Sequence, residues 1–470
     1  MKAPVNPARL AVVLALSTGA CESGISFDPA ADWVLIGVRV WDGTGAPPTG
    51  PAVVQVSQGR ILAIDPVMDF AVAAGRTDTL RVVTDIGIDA IEAGITSTVT
   101  TGGYLIPGLI NTHGHVGGTW VPGTGVEYGE YAFGELERYA RFGVTTVASL
   151  GGERGALFGL RDASWGDGDS ARPAEDADAA DPGETAPPAR ARLLVSGPVV
   201  TGSTPEEAAE RVDAAAAMGP DWIKIRVDDN LGTTRKMSPE TYAAVIARAG
   251  EHDLRVASHL FYQEDAKGLL RAGTGMVAHS IRDEAVDDET IGLLRETGVC
   301  YVPTLTREVS TYAYGGRPDF FDDPFLMGDV DLAQVETLND PGRQARVSAS
   351  GAAEAYGRAL EVAQGNLGRL AEAGVAIAFG TDSGPLGRFQ GYFEHMEMAL
   401  MAEAGLTAEQ ILRSATGVAA ECLGRDDIGT LEPGRRADFV LLGANPLEDV
   451  ANLREIRGVW VGGVRVERGS

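Results

Sequence analysis

The chain has 470 residues, of which 44% are hydrophobic and 22% are charged, so it can bury a large core. Its 66 acidic residues outnumber 39 lysines and arginines, which gives a formal net charge of −27. This charge argues against binding to nucleic acid or to an anionic membrane, because phosphates would be repelled. Only six histidines and four lysines occur, so their positions carry more information than those of the abundant acids.

The N-terminus has the layout of a secretory signal. Lys2 and Arg9 flank the start, and the apolar run at 10–16 is too short to span a bilayer as a helix. Small residues then lead to Cys21, as in a bacterial lipobox, where the cysteine becomes acylated. We expect a signal peptide over 1–21 and a protein anchored in the bacterial cell envelope only by this lipid. An ordinary signal peptide and a disordered start are the alternatives.

The three cysteines, Cys21, Cys300 and Cys422, are far apart and odd in number. This spacing predicts neither a disulfide framework nor a cysteine metal site. Cys300 and Cys422 are expected to be small buried hydrophobic residues.

Short β-rich runs occur at both ends of the chain. They span 34–40, 52–56, 59–64, 437–442 and 459–466. We expect the segments 32–104 and 425–470 to build one small β-sandwich together.

The centre of the chain, 105–424, alternates candidate strands with helical patterns. The strands are expected at 105–111, 145–150, 192–196, 222–227, 255–258, 276–278, 299–304 and 376–380. Helical patterns fall between several of them, and this alternation predicts an α/β fold, a (β/α)8 TIM barrel. A doubly wound open sheet is the alternative, but no Gly-rich phosphate loop follows the first strand.

An acidic segment at 162–189 interrupts this alternation. It contains eight acids and one arginine, and Trp165 is its single large apolar residue. Such a composition cannot bury a core, so we expect a disordered insertion. Binding of Ca2+ is the alternative, but the EF-hand spacing is missing.

Candidate metal ligands lie at the ends of several predicted strands. His113 and His115 surround Gly114 at the end of strand one, where residues i and i+2 share one side. Strands five, six and eight are followed by His259, His279 and Asp382. Barrels place their active sites at these carboxyl ends. Buried core histidines are the alternative, but they would not explain four of six histidines in register with an acid.

Lys224 lies in an apolar strand. A free ammonium beside divalent cations inside a barrel would be desolvated and repelled. Reaction with CO2 would convert the amine into an anionic carbamate that can bridge two metals. A lysine that snorkels from the strand end is the alternative.

These residues together resemble the metal ligands of the amidohydrolase superfamily. The flanking sequences at 105–111 (LIPGLIN) and 429–438 (GTLEPGRRAD) agree with this resemblance. It covers nearly everything after residue 32 except the acidic insertion. The chain is most similar to the imidazolonepropionase-like and prolidase-like branch, whose members with the strand-four lysine carry it carboxylated beside two Zn2+.

The resemblance implies a hydrolase with two Zn2+ per chain. One metal would be held by His113, His115 and Asp382, the other by His259 and His279, with carboxylated Lys224 as the bridge. A hydroxide between the metals would attack the scissile carbonyl. Asp382 would be the catalytic residue that accepts the proton and delivers it to the leaving nitrogen.

The expected substrate is a small molecule or short peptide. Arg226 lies two residues beyond Lys224, and Arg282 follows His279, so either guanidinium could pair with a substrate carboxylate. This favours a dipeptide or an N-acyl amino acid. A structural ion pair is the alternative for each arginine. A homo-oligomeric state stays open.

Three rival functions remain. A mononuclear deaminase of the superfamily would carry an HxxE pattern after strand five, but His259 is followed by Leu-Phe-Tyr. A cyclic-amide hydrolase is a second rival. A non-enzymatic binding lipoprotein is the third, and the complete set of ligands argues against it.

The two remaining histidines are expected outside the site. His252 is expected near a helix end, and His395 is expected to have a packing role.

Overall fold

The computed structural model describes residues 27–67, 95–99, 102–123, 125–165 and 189–467. The predicted signal peptide, with Cys21, and residues 166–188 of the predicted insertion lie outside the described residues. Within the described ranges, no helix combines the length and the apolar character needed to cross a membrane.

The strands of the described residues are numbered in chain order. They are β1 Trp33–Val40, β2 Pro51–Ser57, β3 Arg60–Pro66, β4 Thr96–Val99, β5 Tyr104–Pro107, β6 Leu109–Gly114, β7 Val144–Ser149, β8 Arg192–Val195, β9 Val199–Val200, β10 Ile223–Val227, β11 Val256–Leu260, β12 Met276–Ala278, β13 Cys300–Val302, β14 Phe439–Leu442, β15 Ile456–Val461 and β16 Val464–Arg465.

The α-helices are numbered in the same way. They are α1 Tyr128–Arg141, α2 Gly155–Trp165, α3 Pro205–Ala216, α4 Pro239–Glu251, α5 Gln263–Ala272, α6 Asp288–Thr297, α7 Leu305–Tyr312, α8 Pro324–Met327, α9 Leu332–Leu338, α10 Pro341–Ser348, α11 Gly351–Glu372, α12 Tyr392–Glu403, α13 Ala408–Ser414 and α14 Gly417–Leu423. Several begin with side-chain caps. For example, Thr204 and Ser238 accept hydrogen bonds from the first turns of α3 and α4, and a proline follows each cap.

The two ends of the chain share one mixed sheet of eight strands. Its order is β16-β15-β14-β5-β1-β2-β3, and β4 pairs with β1. Apolar residues from both ends, among them Leu35 and Phe439, pack in one cluster. The amide of Ile61 in β3 also donates to Arg435 O, 2.9 Å away, just before β14. The ends therefore meet in one sheet, as the sequence predicts, and the two-layered sandwich stays a prediction.

The central strands pair in parallel, in chain order. One sheet contains β6, β7 and β8, and another contains β9 to β13. Together with the helices between them, these strands form an α/β fold. The eighth predicted strand, 376–380, appears only as a β-bridge at Ile377. The reason is a change of partner, because this segment bonds first to Tyr301 of β13 and then to Thr112 of β6.

The first predicted central strand, 105–111, is divided between the two regions. β5 belongs to the terminal sheet and β6 to the central one, with Gly108 between them. A Cβ at Gly108 would lie 2.0 Å from Thr145 Oγ1. Glycine is needed there because the backbone passes directly over the start of β7.

The expectation that the cysteines are unpaired is wrong for two of them. Cys300 in β13 and Cys422 in α14 form a disulfide, with Cα atoms 5.9 Å apart. The two residues are 122 positions apart in the sequence, and their spacing gives no sign of the pairing. Cys422 is buried, as the sequence predicts, whereas Cys300 is only partly buried against the same apolar cluster.

Helix α2 extends into the predicted acidic insertion. It ends at Trp165, whose Nε1 donates to Leu193 O at 2.7 Å. Ala189, at the other end of the predicted segment, is buried. Both edges of the 162–189 segment therefore belong to the packed structure.

Candidate metal centre

Three of the predicted ligands form the first ligand group: His113, His115 and Asp382. His113 lies near the end of β6 and is fully buried, and His115 follows that strand. The Oδ1 atom of Asp382 lies 2.7 Å from His115 Nε2 and 3.4 Å from His113 Nε2. One ligand atom from each residue lies within 4.8 Å of the others, so the three could hold one metal ion. Asp382 has a φ of 60°, a strained backbone conformation of the kind that often occurs at functional sites.

His259 and His279 form the second ligand group. His259 lies in β11 and His279 directly follows β12. Their ring centroids are 4.1 Å apart, and the ring of His279 lies 4.6 Å from that of His113. The two ligand groups therefore meet through the pair formed by His113 and His279.

Lys224 reaches the first ligand group from β10. Its Nζ lies 3.1 Å from His113 Nε2, and the residue is only 3% exposed. Burial lowers the pKa of this amine to about 8. A neutral amine is the form that reacts with CO2, and this burial increases its share near neutral pH.

The donor set fits divalent metal ions such as Zn2+. Imidazole nitrogens and carboxylate oxygens are zinc ligands. In three of the histidines one ring nitrogen contacts another group: His115 Nδ1 lies 3.3 Å from Gly151 O, His259 Nε2 lies 2.8 Å from Asp228, and His279 Nδ1 lies 2.7 Å from Thr304. Such contacts orient a ring and leave its second nitrogen for a metal. These three rings are therefore oriented by supporting contacts, and each keeps a second nitrogen that could bind a metal.

A buried carboxylate that the sequence did not indicate supports the first ligand group. Glu394, in α12, is fully buried. Its Oε1 accepts hydrogen bonds from Asn111 (2.7 Å), Thr381 (2.8 Å) and Ser383 (2.6 Å). Asn111 in turn accepts the backbone N–H of His113 at 2.9 Å. Glu394 thus joins the segment that carries both histidines to the residues on either side of Asp382.

Arg388 is a second residue at the site that sequence reasoning missed. Its Nη1 donates to Asp382 Oδ2, and its Nε donates to Ser310 Oγ at 3.0 Å. Burial alone would raise the pKa of Asp382, but Arg388 and His115 hold this pKa well below its usual range. Asp382 is therefore a carboxylate at neutral pH.

The two predicted substrate-binding arginines lie in different surroundings. Arg226 has a side chain 41% exposed and contacts Asn230 and, at 3.5 Å, Asp228. Arg282 is completely buried, pairs with Glu308 at 2.9 Å, and donates to Leu260 O at 2.9 Å. A substrate could therefore reach Arg226, whereas the contacts of Arg282 are those of an internal ion pair. The binding role of each stays a prediction.

The two remaining histidines lie away from the ligand groups, in the positions expected from the sequence. His252 follows the last residue of α4, and its Nε2 lies 2.7 Å from Asp213. His395 is buried in α12, and its Nε2 lies 2.9 Å from Phe142 O.

Comparison with known proteins agrees with this arrangement. The model of the amidohydrolase family matches residues 104–466. The chain belongs to the amidohydrolase family. An uncharacterized protein of Mycobacterium bovis is 26% identical over 367 residues, which cover 74% of this chain and 81% of that protein. An imidazolonepropionase of Deinococcus deserti is 39% identical over 102 residues, covering 21% of this chain and 25% of the relative.

Several solved structures share the fold. A Xaa-Pro dipeptidase with bound methionine has a TM-score of 0.64 at 19% identity, covering 92% of this chain and 99% of that one. A prolidase complexed with N-methylphosphonate-L-proline has a TM-score of 0.64 at 21% identity, covering 93% and 99%. These relatives and neighbours support the imidazolonepropionase-like and prolidase-like branch of the superfamily. They also support a metal-dependent hydrolase that acts on C–N bonds.

Proposed function

We propose that the protein is a binuclear amidohydrolase that cleaves the amide bond of a dipeptide or an N-acyl amino acid. In this proposal the central strands close into a (β/α)8 barrel, with the segment 376–380 as the eighth strand. Two Zn2+ are held per chain, the first by His113, His115 and Asp382 and the second by His259 and His279.

The position of Lys224 is the observation that carries the proposal. Its buried Nζ lies against His113, whose ring is the contact between the two ligand groups. An anionic carbamate on this nitrogen would supply a ligand to both groups. A mononuclear enzyme would have no use for such a buried amine at this place.

Activation of the water and transfer of its proton are assigned to different groups of the site. The metal pair, when bound, lowers the pKa of a water molecule and polarises the scissile carbonyl. Asp382, which is ionised, accepts the proton that this water loses and transfers it to the leaving amine. Water adds OH to the acyl carbon and H to the nitrogen, so the products are a carboxylic acid and an amine.

Two observations support this class of substrate. Neighbours described as a prolidase and a Xaa-Pro dipeptidase share the fold over more than nine-tenths of this chain. Arg226 presents a partly exposed guanidinium two residues from Lys224. The partial match to imidazolonepropionase favours the cyclic-amide hydrolase as the second candidate.

Metal analysis and a substrate panel test this function together. Purified protein loaded with Zn2+ is assayed against Xaa-Pro dipeptides, N-acyl amino acids and cyclic amides. We expect about two metals per chain and release of an amine from the first two classes. Turnover of the cyclic amides alone favours the second candidate. One metal per chain with no turnover of these three classes favours a deaminase, whose substrates are of another class, and no metal with no turnover favours a binding protein.

We also propose that the protein is anchored to the bacterial envelope through Cys21. The charged start, short apolar run and small residues before Cys21 support this location. Cys21→Ser should move the protein from the detergent-soluble membrane fraction to the soluble envelope fraction. Unchanged fractionation of the variant would reject acylation.

A further inference from the structure

We infer that Arg388 binds the free carboxylate of the substrate and so determines the preference for acids over amides. This inference rests on the proposed function, because it assigns a substrate group to a residue of the same site. It differs from the expectation drawn from the sequence, which placed this role on Arg226 or Arg282.

The surroundings of Arg388 fix its guanidinium at the site. The residue lies in the loop between Asp382 and α12, where Arg388 O accepts from Gly384 N and Arg388 N donates to Pro385 O, each at 2.8 Å. The hydroxyl of the buried Tyr314 donates to Gly387 O and so helps to hold the loop. The side chain of Arg388 is 18% exposed, so a ligand can reach it.

The present partner of Arg388 is a predicted metal ligand. The guanidinium contacts Asp382 Oδ2, while Asp382 Oδ1 faces the two histidines of the first ligand group. With metal bound, Asp382 shares its charge with a divalent cation, and the added positive charge repels the guanidinium. Arg388 then needs another anion.

The other acids described near Arg388 already have partners. Asp329 and Asp331 line a cavity with Arg388. However, Asp329 pairs with Arg141, and Asp331 accepts from Ala333 N at the start of α9.

Glu308 is a further acid whose charge acts on Arg388. Its carboxylate is already occupied by Arg282 at 2.9 Å and Arg307 at 3.0 Å. A substrate carboxylate beside the scissile bond would complete the pair, because a guanidinium binds a carboxylate through two parallel hydrogen bonds.

The other two arginines have carboxylate partners outside the ligand groups, although Nη2 of the buried Arg282 has no hydrogen-bond partner among the described residues. Arg282 is completely buried and is held by Glu308 and by backbone carbonyl oxygens. Arg226 keeps Asp228 and Asn230 as partners, and neither of these belongs to a ligand group. Metal binding leaves the partners of both arginines in place.

The kinetic experiment compares a Gly-Pro dipeptide with its C-terminal amide on the zinc-loaded enzyme. Wild type should prefer the acid in kcat/KM, and Arg388→Ala should lose roughly 30-fold or more on the acid while losing much less on the amide. Arg388→Lys should keep part of the preference, because it retains the charge without the planar fork. Arg317→Ala, at an exposed arginine paired with Asp322, is the matched control. Two results would overturn the inference. Equal losses of kcat/KM on both substrates in Arg388→Ala would show that Arg388 acts only through Asp382. Loss of the preference for the acid in Arg226→Ala would show that Arg226 has the role instead.

A binding experiment separates this inference from the proposed function. Calorimetry measures the zinc-loaded protein with a Gly-Pro analogue whose scissile amide is replaced by a methylene amine, as the acid and as the C-terminal amide. Tighter binding of the acid by wild type and not by Arg388→Ala supports the inference, even if no dipeptide is cleaved and the proposed function fails. Equal affinity of wild type for the two analogues overturns the inference, even if dipeptides are cleaved.

Discussion

The two ligand groups of the metal centre are supported in different ways. In the first group, one buried carboxylate, Glu394, bonds to the segments that carry His113, His115 and Asp382. In the second group, His259 and His279 each have a separate contact, to Asp228 and Thr304. Loss of Glu394 should therefore disturb all three ligands of the first group together. In the second group, loss of one supporting contact should disturb only one histidine.

The largest effect is expected at Lys224, which affects both groups. Lys224→Ala should lose most activity and bind fewer metals, because the proposed bridging carbamate would be missing. Acetate or propionate should partly restore both by occupying the vacated space. Metal content and turnover, with and without the acid, are the measurements.

Two variants serve as controls for Lys224. Lys224→Arg should not respond to acetate, because its guanidinium stays cationic and fills the space. Lys236→Ala, at a lysine paired with Asp265, should resemble wild type. Full metal content and normal turnover in Lys224→Ala would show an ordinary strand lysine and would favour the mononuclear deaminase.

Replacement of Glu394 tests whether the three ligands of the first group lose their positions together. Glu394→Gln places an amide among donors, so it should lower the free energy of unfolding by about 2 kcal/mol. It should also weaken metal binding at the first group while the second keeps its affinity. Equilibrium dialysis and thermal unfolding measure these effects. Glu403→Gln, at an exposed acid on the same helix, is the control, and equal weakening of both groups would contradict the comparison.

Replacement of Asp228 tests the second ligand group. Asp228→Ala leaves His259 Nε2 without its carboxylate, so affinity for one metal should fall by roughly 10-fold to 100-fold. Asp228→Asn should keep most of the affinity, since its amide oxygen still accepts the hydrogen bond. The first metal, measured in the same titration, should be unaffected. Loss of both metals together would show that the groups are coupled more tightly than their contacts indicate.

The smallest effect is expected from the acidic insertion, whose composition cannot bury a core. Replacing residues 166–188 with a Gly/Ser linker of the same length should change Tm by only a few degrees, as a surface-loop change does. Metal content should stay the same. A collapse in soluble yield would show that the segment contributes to the packed structure.

The sequence indicated the ligands because their residue types are scarce. Four of six histidines lie at or just after strand ends and one of four lysines lies within a strand, and the structure brings all five near Asp382 or one another. Glu394 and Asp228 carried no such signal, because they are two acids among 66. Their roles follow from burial and partners, which only the fold provides.

Prediction of the strands from the sequence is limited in the same way. Runs of apolar residues located β7, β10 and β12 to within one residue or two. They did not reveal that Gly108 separates two sheets or that segment 376–380 changes partners, because both depend on contacts between distant residues. The Cys300–Cys422 disulfide was also not predicted, because its two residues are 122 positions apart in the sequence.

That disulfide has a consequence for proteolysis. It encloses the stretch from Cys300 to Cys422, which contains Asp382, Arg388 and Glu394. A single backbone cut anywhere within this stretch leaves the two fragments covalently joined. The nicked protein would therefore migrate as one species on a denaturing gel without reductant, and it would separate into two only after the bond is reduced.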